Sequence, residues 1–354
     1  MAAATATWQR WGMRCHIVPP HMLERIARDA TDPAMRDRAR RTLALTSAHA
    51  TERRLASPSA PAPSAATAPN RMIADAGHKE ELPGTTVRAE GAAATGDTSC
   101  DQAYDWLGAT FAFYQTAYGR DSIDGAGLKM ISTIHYGERY DNAFWNGEQM
   151  VYGDGDGTIF TDFTGPLDVT GHELTHGVTQ YTANLDYSGQ SGALNESVSD
   201  VFGSLIKQMH LGQTADQADW LIGQGLLASG VHGVALRSMK EPGTAYDDPQ
   251  LGKDPQPADM SGYVHTYEDN GGVHINSGIP NRAFYLAATA IGGNAWEKAG
   301  RVWYETLTGG SLASAVDFAG FAAATVQTAT GLYGADAAET TAVSNAWKGV
   351  GVTQ

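Results

Sequence analysis

Two histidines four residues apart, His172 and His176, lie in the stretch DVTGHELTHGVTQY (168–181), with Glu173 beside the first. On a helix, residues i and i+4 share a face one turn apart, so both imidazoles can reach one ion. Imidazole nitrogens bind zinc at about 2.0–2.1 Å, and a catalytic zinc takes three protein ligands. Glu173 does not share that face. It is free to hold the attacking water and take its proton. The segment GALNESVSD (192–200) offers the rest: Glu196 as a carboxylate third ligand, and Asp200 four residues on. Asp200 is placed to accept the outer N–H of a ligating histidine and fix its tautomer. Two histidines, a glutamate ligand and an adjacent glutamate base form the donor set of a hydrolytic zinc site.

These residues need two helices that cross. From about residue 167 the apolar spacing is helical, with helices expected over 167–181, 193–211, 216–228, 275–291, 295–307, 311–329 and 335–347. Residues 70 to about 165 read mainly as strands with Gly-rich turns. KMISTIHY (129–136) alternates weakly, and MVYGDGDGTIF (150–160) reads as strand, turn and second strand. Cys100 reads as a small residue near the start of a helix, with no assigned role. Strands first and helices later imply an α+β fold with two lobes.

The head of the chain is different. Residues 21–56 read as helical, and SPSAPAPSAATAP (57–69) is an uncharged Pro/Ala/Ser linker of the kind that is easily nicked. Residues 1–60 hold ten Arg against five Asp or Glu, whereas the remainder holds 14 Lys or Arg against 34 acids. A basic head can dock on an acidic body, which hints at a built-in inhibitor. The net charge of −15 argues against a general nucleic-acid binder. No run of eighteen apolar residues predicts a membrane span. The start of the chain has no recognisable signal peptide. Two cysteines, Cys15 and Cys100, are too few for a disulfide scaffold.

HELTH followed by NESVSD, with 19 residues between His176 and Glu196, resembles the thermolysin family of neutral metalloproteases. NAFWNGEQMVYGDGDG (142–157), ALRSM (235–239) and DNGGVHINSGIPNRAFYLAA (269–288) resemble it too. The resemblance covers most of residues 70–354. It implies a thermolysin-like two-lobed fold with the zinc cleft between a strand-rich lobe (70–182) and a helical lobe (183–354). It also implies zinc-dependent cleavage of internal peptide bonds in proteins or peptides. Asn142 and the carbonyl of Ala143 would pair with the substrate main chain. His274 and Tyr187 would stabilise the oxyanion, Asp269 would orient His274, and Arg237 would bind a substrate carbonyl. Phe160, Phe163, Val169, Ile222 and Leu236 would line the pocket for the side chain just after the cut bond. All are apolar, so a large hydrophobic residue is expected there.

Two departures stand out. Where relatives hold paired calcium ions, this chain has Asp168, Lys207, Asp219, Leu221 and Gln224. Calcium needs six to eight oxygen ligands. The paired site is therefore expected to be absent, with Lys207 bridging Asp168 and Asp219. The C-terminal calcium loop also lacks its acid, and calcium elsewhere is left open. The head, with IVPPHML (17–23), resembles the brief prosegment of the protealysin subgroup, and residues 71–91 resemble that subgroup's mature start. Residues 1–56 then form an inhibitory prosegment, 57–69 the linker, and the chain is a zymogen cut within 50–70. Cys15 either ligates zinc in the precursor or merely packs in the cleft. The family implies secretion, with a cytoplasmic zymogen pool as the alternative, and a monomer. Two rival readings are a zinc aminopeptidase, for which no amine-binding motif is found, and a catalytically silent binding protein on the same fold.

Overall fold

The computed structural model describes residues 16–52 and 68–354. The head is a helical hairpin, α1 (Pro20–Asp29) and α2 (Pro33–Glu52). Each helix opens on a proline, which is pre-set for the first helical position and has no N–H to leave unpaired. Met22, Leu23, Ile26 and Ala27 give α1 one buried face.

The next lobe combines β1 (Arg71–Asp75), β2 (Thr85–Ala89), α3 (Thr98–Tyr118), β3 (Met130–Ile134), β4 (Ala143–Trp145) and β5 (Met150–Tyr152). The five strands form one sheet in the order β2-β1-β3-β5-β4. The β1–β3 and β3–β5 pairs are parallel, and β4 lies antiparallel to β5 at one edge. An edge strand offers unpaired backbone groups to another chain. Here His16 bridges antiparallel to Phe144 on that edge, and Ile17 N–H donates to the Ala143 carbonyl at 3.2 Å.

Then come α4 (Leu167–Gln180) and α5 (Gly189–Leu211). Both are buried over almost their whole length, as helices at the centre of a fold must be. They cross closely because Gly171 and Gly203 have no side chains. A Cβ on Gly203 would sit 2.6 Å from the Asp168 carbonyl oxygen, and one on Gly171 would sit 2.8 Å from Ile206. This contact brings Glu196 and Asp200 against His172. Two short ribbons follow, β6 (Leu221–Ile222) with β7 (Arg237–Ser238), and β8 (Asp247–Asp248) with β9 (Gly252–Lys253). The chain closes with α6 (Asp269–Asn276), α7 (Gly278–Ile291), α8 (Ala299–Thr308), α9 (Phe318–Tyr333) and α10 (Ala338–Gly349). The α+β, two-lobed expectation holds.

Several element boundaries need correction. The 70–165 region is less strand-dominated than expected, because α3 spans 21 residues. Asp97 caps α3 by accepting from Cys100 N–H, and Gly119 ends it in a left-handed turn. Residues 216–228 are not a helix. Trp220, Gly223 and Gly225 all take positive φ, so the segment folds into β6 and turns. The second strand expected in 150–160 reduces to a single bridge between Phe160 and Leu227. The helix expected from 193 starts at Gly189, and the last three start three to seven residues later than the spacing suggests. The linker at 57–67 and Cys15 lie outside the described residues.

Candidate active site

His172 and His176 project from α4 toward Glu196 on α5. The facing atoms are close: His176 Nε2 lies 3.0 Å from His172 Nε2, and the Glu196 oxygens lie 3.6 Å from His172 Nε2 and 3.5 Å from His176 Nε2. All three residues are buried and offer ligand atoms within 4.8 Å of one another. The far side of each ring is held. His172 Nδ1 bonds Asp200 Oδ1 at 2.7 Å, and His176 Nδ1 bonds Asn195 Oδ1 at 2.8 Å and Ser199 Oγ at 2.9 Å. Both imidazoles therefore present Nε2 to one point. Glu196 Oε2 is out of solvent and has no hydrogen-bond partner among the described residues. A buried, unsatisfied carboxylate oxygen is costly unless a cation meets it. The donor set fits zinc.

Asp200 behaves as the sequence suggests and does more. Besides His172 it accepts from Arg237 Nε at 2.8 Å, Arg237 Nη2 at 2.9 Å and Asn281 Nδ2 at 2.8 Å. Burial alone would raise its pKa; Arg237 and His172 overcome that and hold it below the ordinary carboxylate range. Arg237 is itself 2% exposed, and its third nitrogen, Nη1, donates to the Ile17 carbonyl at 3.0 Å. Glu173 Oε2 accepts from the Trp145 backbone N–H at 2.9 Å, which ties the glutamate to the edge strand.

His274 enters from α6. Asp269, Asn270, Gly271 and Gly272 all take positive φ, and this left-handed run turns Asp269 back onto the histidine. Asp269 Oδ1 holds His274 Nδ1 at 2.6 Å, and Asp269 Oδ2 accepts the His274 backbone N–H at 2.9 Å. Burial disfavours a charged ring, but Asp269 and Glu196 outweigh it and raise His274 to about 9. His274 Nε2 lies 3.2 Å from the His16 carbonyl oxygen, so a proton on that nitrogen is donated to it. The Tyr187 hydroxyl donates to Glu196 and lies 3.2 Å from His274 Nε2.

Residues 16–18 of the head lie in this cleft as a peptide would. Ile17 N–H donates to Ala143 O, and Ile17 O accepts from Arg237. Val18 N–H donates to Asn142 Oδ1 at 3.0 Å, and Asn142 Nδ2 donates to Val18 O at 3.3 Å. Ile17 is fully buried in the same apolar core as Phe160, Phe163, Val169, Ile222 and Leu236. Phe160 and Phe163 pack ring to ring at 5.8 Å. Ile222 pairs with Arg237 across β6 and β7.

The structure brings the polar candidates together around one cleft, while Phe160, Phe163, Val169, Ile222 and Leu236 lie in the main apolar core that also takes up Ile17. Asn195, Ser199, Asn281 and the Trp145 N–H were not foreseen. A signal existed for two of them: Asn195 and Ser199 are four apart, on the face of α5 next to Glu196. Near the site, Lys207 Nζ lies 2.8 Å from Asp168 and 3.0 Å from Asp219, and it also reaches the Leu221 carbonyl at 2.9 Å.

Comparison with known proteins agrees with this geometry. Residues 34–180 match the thermolysin metallopeptidase catalytic domain and 183–352 its alpha-helical domain. Residues 15–44 match the protealysin propeptide. An extracellular metalloprotease of Pectobacterium carotovorum subsp. carotovorum is 53% identical over 341 residues, covering 96% of each chain. An extracellular minor metalloprotease of Serratia marcescens is 54% identical over 208 residues, 59% of each. The solved precursor of protealysin, a metalloproteinase from Serratia proteamaculans, superposes with a TM-score of 0.87 at 53% identity. That match covers 96% of this chain and all of the other.

Proposed function

This chain belongs to the thermolysin family of metallopeptidases and is a zinc endopeptidase made with an inhibitory propeptide; within that frame we propose the following roles for its residues. His172, His176 and Glu196 hold zinc, with Asp200, Asn195 and Ser199 orienting the two rings. When bound, the ion supplies the positive charge that activates water and polarises the carbonyl to be cut. Glu173 takes the proton of the attacking water and passes it to the leaving nitrogen. His274 and Tyr187 donate to the developing oxyanion, and Asp269 keeps His274 turned and protonated for that task.

The substrate adds as a strand to the edge at β4. Asn142 and Ala143 bind its main chain, and Arg237 binds the carbonyl of the residue after the cut. Phe160, Phe163, Val169, Ile222 and Leu236 receive that residue's side chain, so cleavage falls before large hydrophobic residues. One observation carries these assignments: the head of the chain lies in the cleft in this register, with His16 O at His274, Ile17 O at Arg237 and Val18 clamped by Asn142. By this register His16–Ile17 occupies the position of the cut bond.

Residues 1–56 act as the inhibitor and 57–69 as the linker, with maturation within 50–70. The two catalytic lobes are 70–182 and 183–354. Lys207 replaces the paired calcium ions, since its ammonium already neutralises Asp168 and Asp219. The names of two relatives, both called extracellular, support action outside the cell; the proposed acting species is a monomer. The test uses end-blocked peptides that differ only after the cut bond. Matured enzyme should cut before Leu or Phe at least tenfold faster than before Glu or Gly. Equal rates would refute the pocket assignment, and failure on every end-blocked peptide would favour an aminopeptidase.

A further inference from the structure

One acidic cluster beside the cleft takes no part in the chemistry above. Residues 140–142 and 153–155 lie against each other, with Gly153 N–H donating to Asn142 O at 3.0 Å and Gly155 N–H to Tyr140 O at 3.2 Å. This packing brings the Asp141 and Asp156 carboxyls into electrostatic range of each other, both nearly out of solvent at 4% and 6% exposure. Asp156 Oδ1 accepts the N–H groups of Thr158 and Ile159 at 2.8 and 2.7 Å. Asp141 Oδ1 is buried with no hydrogen-bond partner among the described residues, and the carboxylate's one backbone support is the Asp156 N–H. Burial and the neighbouring Asp156 push the Asp141 carboxyl well above its usual range. Such an arrangement is unfavourable unless a cation serves it.

The cation is supplied by the head. Arg38 of α2 brings Nη2 to 3.4 Å from Asp156 Oδ2. Among the described residues it is the one cation in ion-pair range of Asp156. It departs with the prosegment. Arg139, the other nearby cation, is exposed and bonds neither acid among the described residues. Asp141 directly precedes Asn142, whose side chain grips residue 18 at both N–H and C=O. In the substrate register, residue 18 is the second residue beyond the cut bond.

We propose that, once the prosegment leaves, Asp141 and Asp156 form an acidic recess that selects protein substrates carrying Arg or Lys at the second position after the cut bond. Arg38 fills this recess in the precursor as a surrogate for that side chain. The inference rests on the peptidase reading above. A guanidinium is the better occupant, because its several N–H groups can serve two carboxylates at once, whereas an ammonium is a point charge.

The test has two arms. In the first, the matured enzyme cuts end-blocked peptides with Leu after the cut bond and Arg, Gln or Glu next. The expected order of kcat/KM is Arg over Gln by at least fivefold and Arg over Glu by more. Asp141→Asn should bring the Arg-to-Gln ratio to within twofold of unity; using a ratio cancels any general loss. In the second, calorimetry measures binding of added prosegment (residues 1–56) to the matured Glu173→Ala protein, where no cleavage is needed. Arg38→Gln should weaken binding at least fivefold, and much less against the Asp141→Asn, Glu173→Ala double variant. A flat peptide ratio or an unchanged Arg38→Gln affinity would overturn the recess. Failure to cut any peptide, with the Arg38 effect intact, would instead implicate the peptidase reading alone.

Discussion

Acid should loosen the prosegment, and the reason lies in one side chain. His21 sits on α1 over the cleft, with Nε2 bonded to the Tyr246 hydroxyl at 3.0 Å and Nδ1 buried without a partner among the described residues. Desolvation lowers its pKa to about 4; Asp269 works against this, while His274 and Arg237 add to it. The free prosegment has an ordinary histidine, near 6.5. The docked state thus prefers neutral His21. Docking is at full strength above about pH 6.5 and weakens as pH falls toward 4. Linkage between these two values gives a loss of about 2 kcal/mol at pH 5, roughly thirtyfold in affinity, and almost none at pH 7.5. Glu24 opposes this: its carboxyl is raised by burial and by Glu268 and Asp269, so its protonation favours docking at lower pH. The assay is inhibition of matured enzyme by added prosegment at pH 7.5 and 5.0, for wild type and His21→Gln. Gln keeps a partner for Tyr246 but does not titrate. The wild-type inhibition constant should rise about thirtyfold more than that of the variant between the two pH values. Parallel changes in the two proteins would refute the reasoning.

Three further predictions address other contacts. Ile17→Asp would place a carboxylate in a fully buried apolar site, so the full-length protein should lose inhibition and mature much faster; unchanged maturation kinetics would contradict the docking register. Lys207→Ala would leave Asp168, 1% exposed, beside Asp219 without a counter-charge. Urea unfolding should show a loss of about 3 kcal/mol, and crystals soaked in calcium should show no ion between the two acids in the wild type. Arg237→Lys cannot span Asp200 and a peptide carbonyl together, and kcat/KM should fall about 10- to 100-fold; a loss under threefold would remove Arg237 from the binding role.

The catalytic constellation is readable in the sequence because its parts repeat at helical spacing. His172 with His176, and Glu196 with Asp200, are each four apart, and the two pairs lie on neighbouring helices. Their meeting depends on the bare helix surfaces at Gly171 and Gly203, which no spacing rule announces. The same is true of Arg237, which comes from a two-residue strand and joins Asp200 only through the three-dimensional fold. Local errors have local causes. The α3 segment is rich in Tyr, Phe, Trp and Thr, residues favoured in strands. Its 3.6-residue period (Ala103, Leu107, Phe111, Tyr114) and its Asp97 cap outweigh that preference. In 216–228, Trp220, Leu221, Ile222 and Leu226 imitate an apolar helix face, but positive φ at Trp220, Gly223 and Gly225 breaks it. The prosegment's register lies beyond sequence reasoning altogether, since it is set by pairing between residues more than 120 positions apart.

The most direct measurement follows the mass of zinc-loaded full-length protein over time, in the presence of casein, beside Glu173→Ala and a chelated sample. Wild type should trim itself within 50–70 and then digest casein, while the variant and the chelated protein do neither. A Glu173→Ala protein that matures and digests like wild type would show that HELTH is not where the reaction occurs.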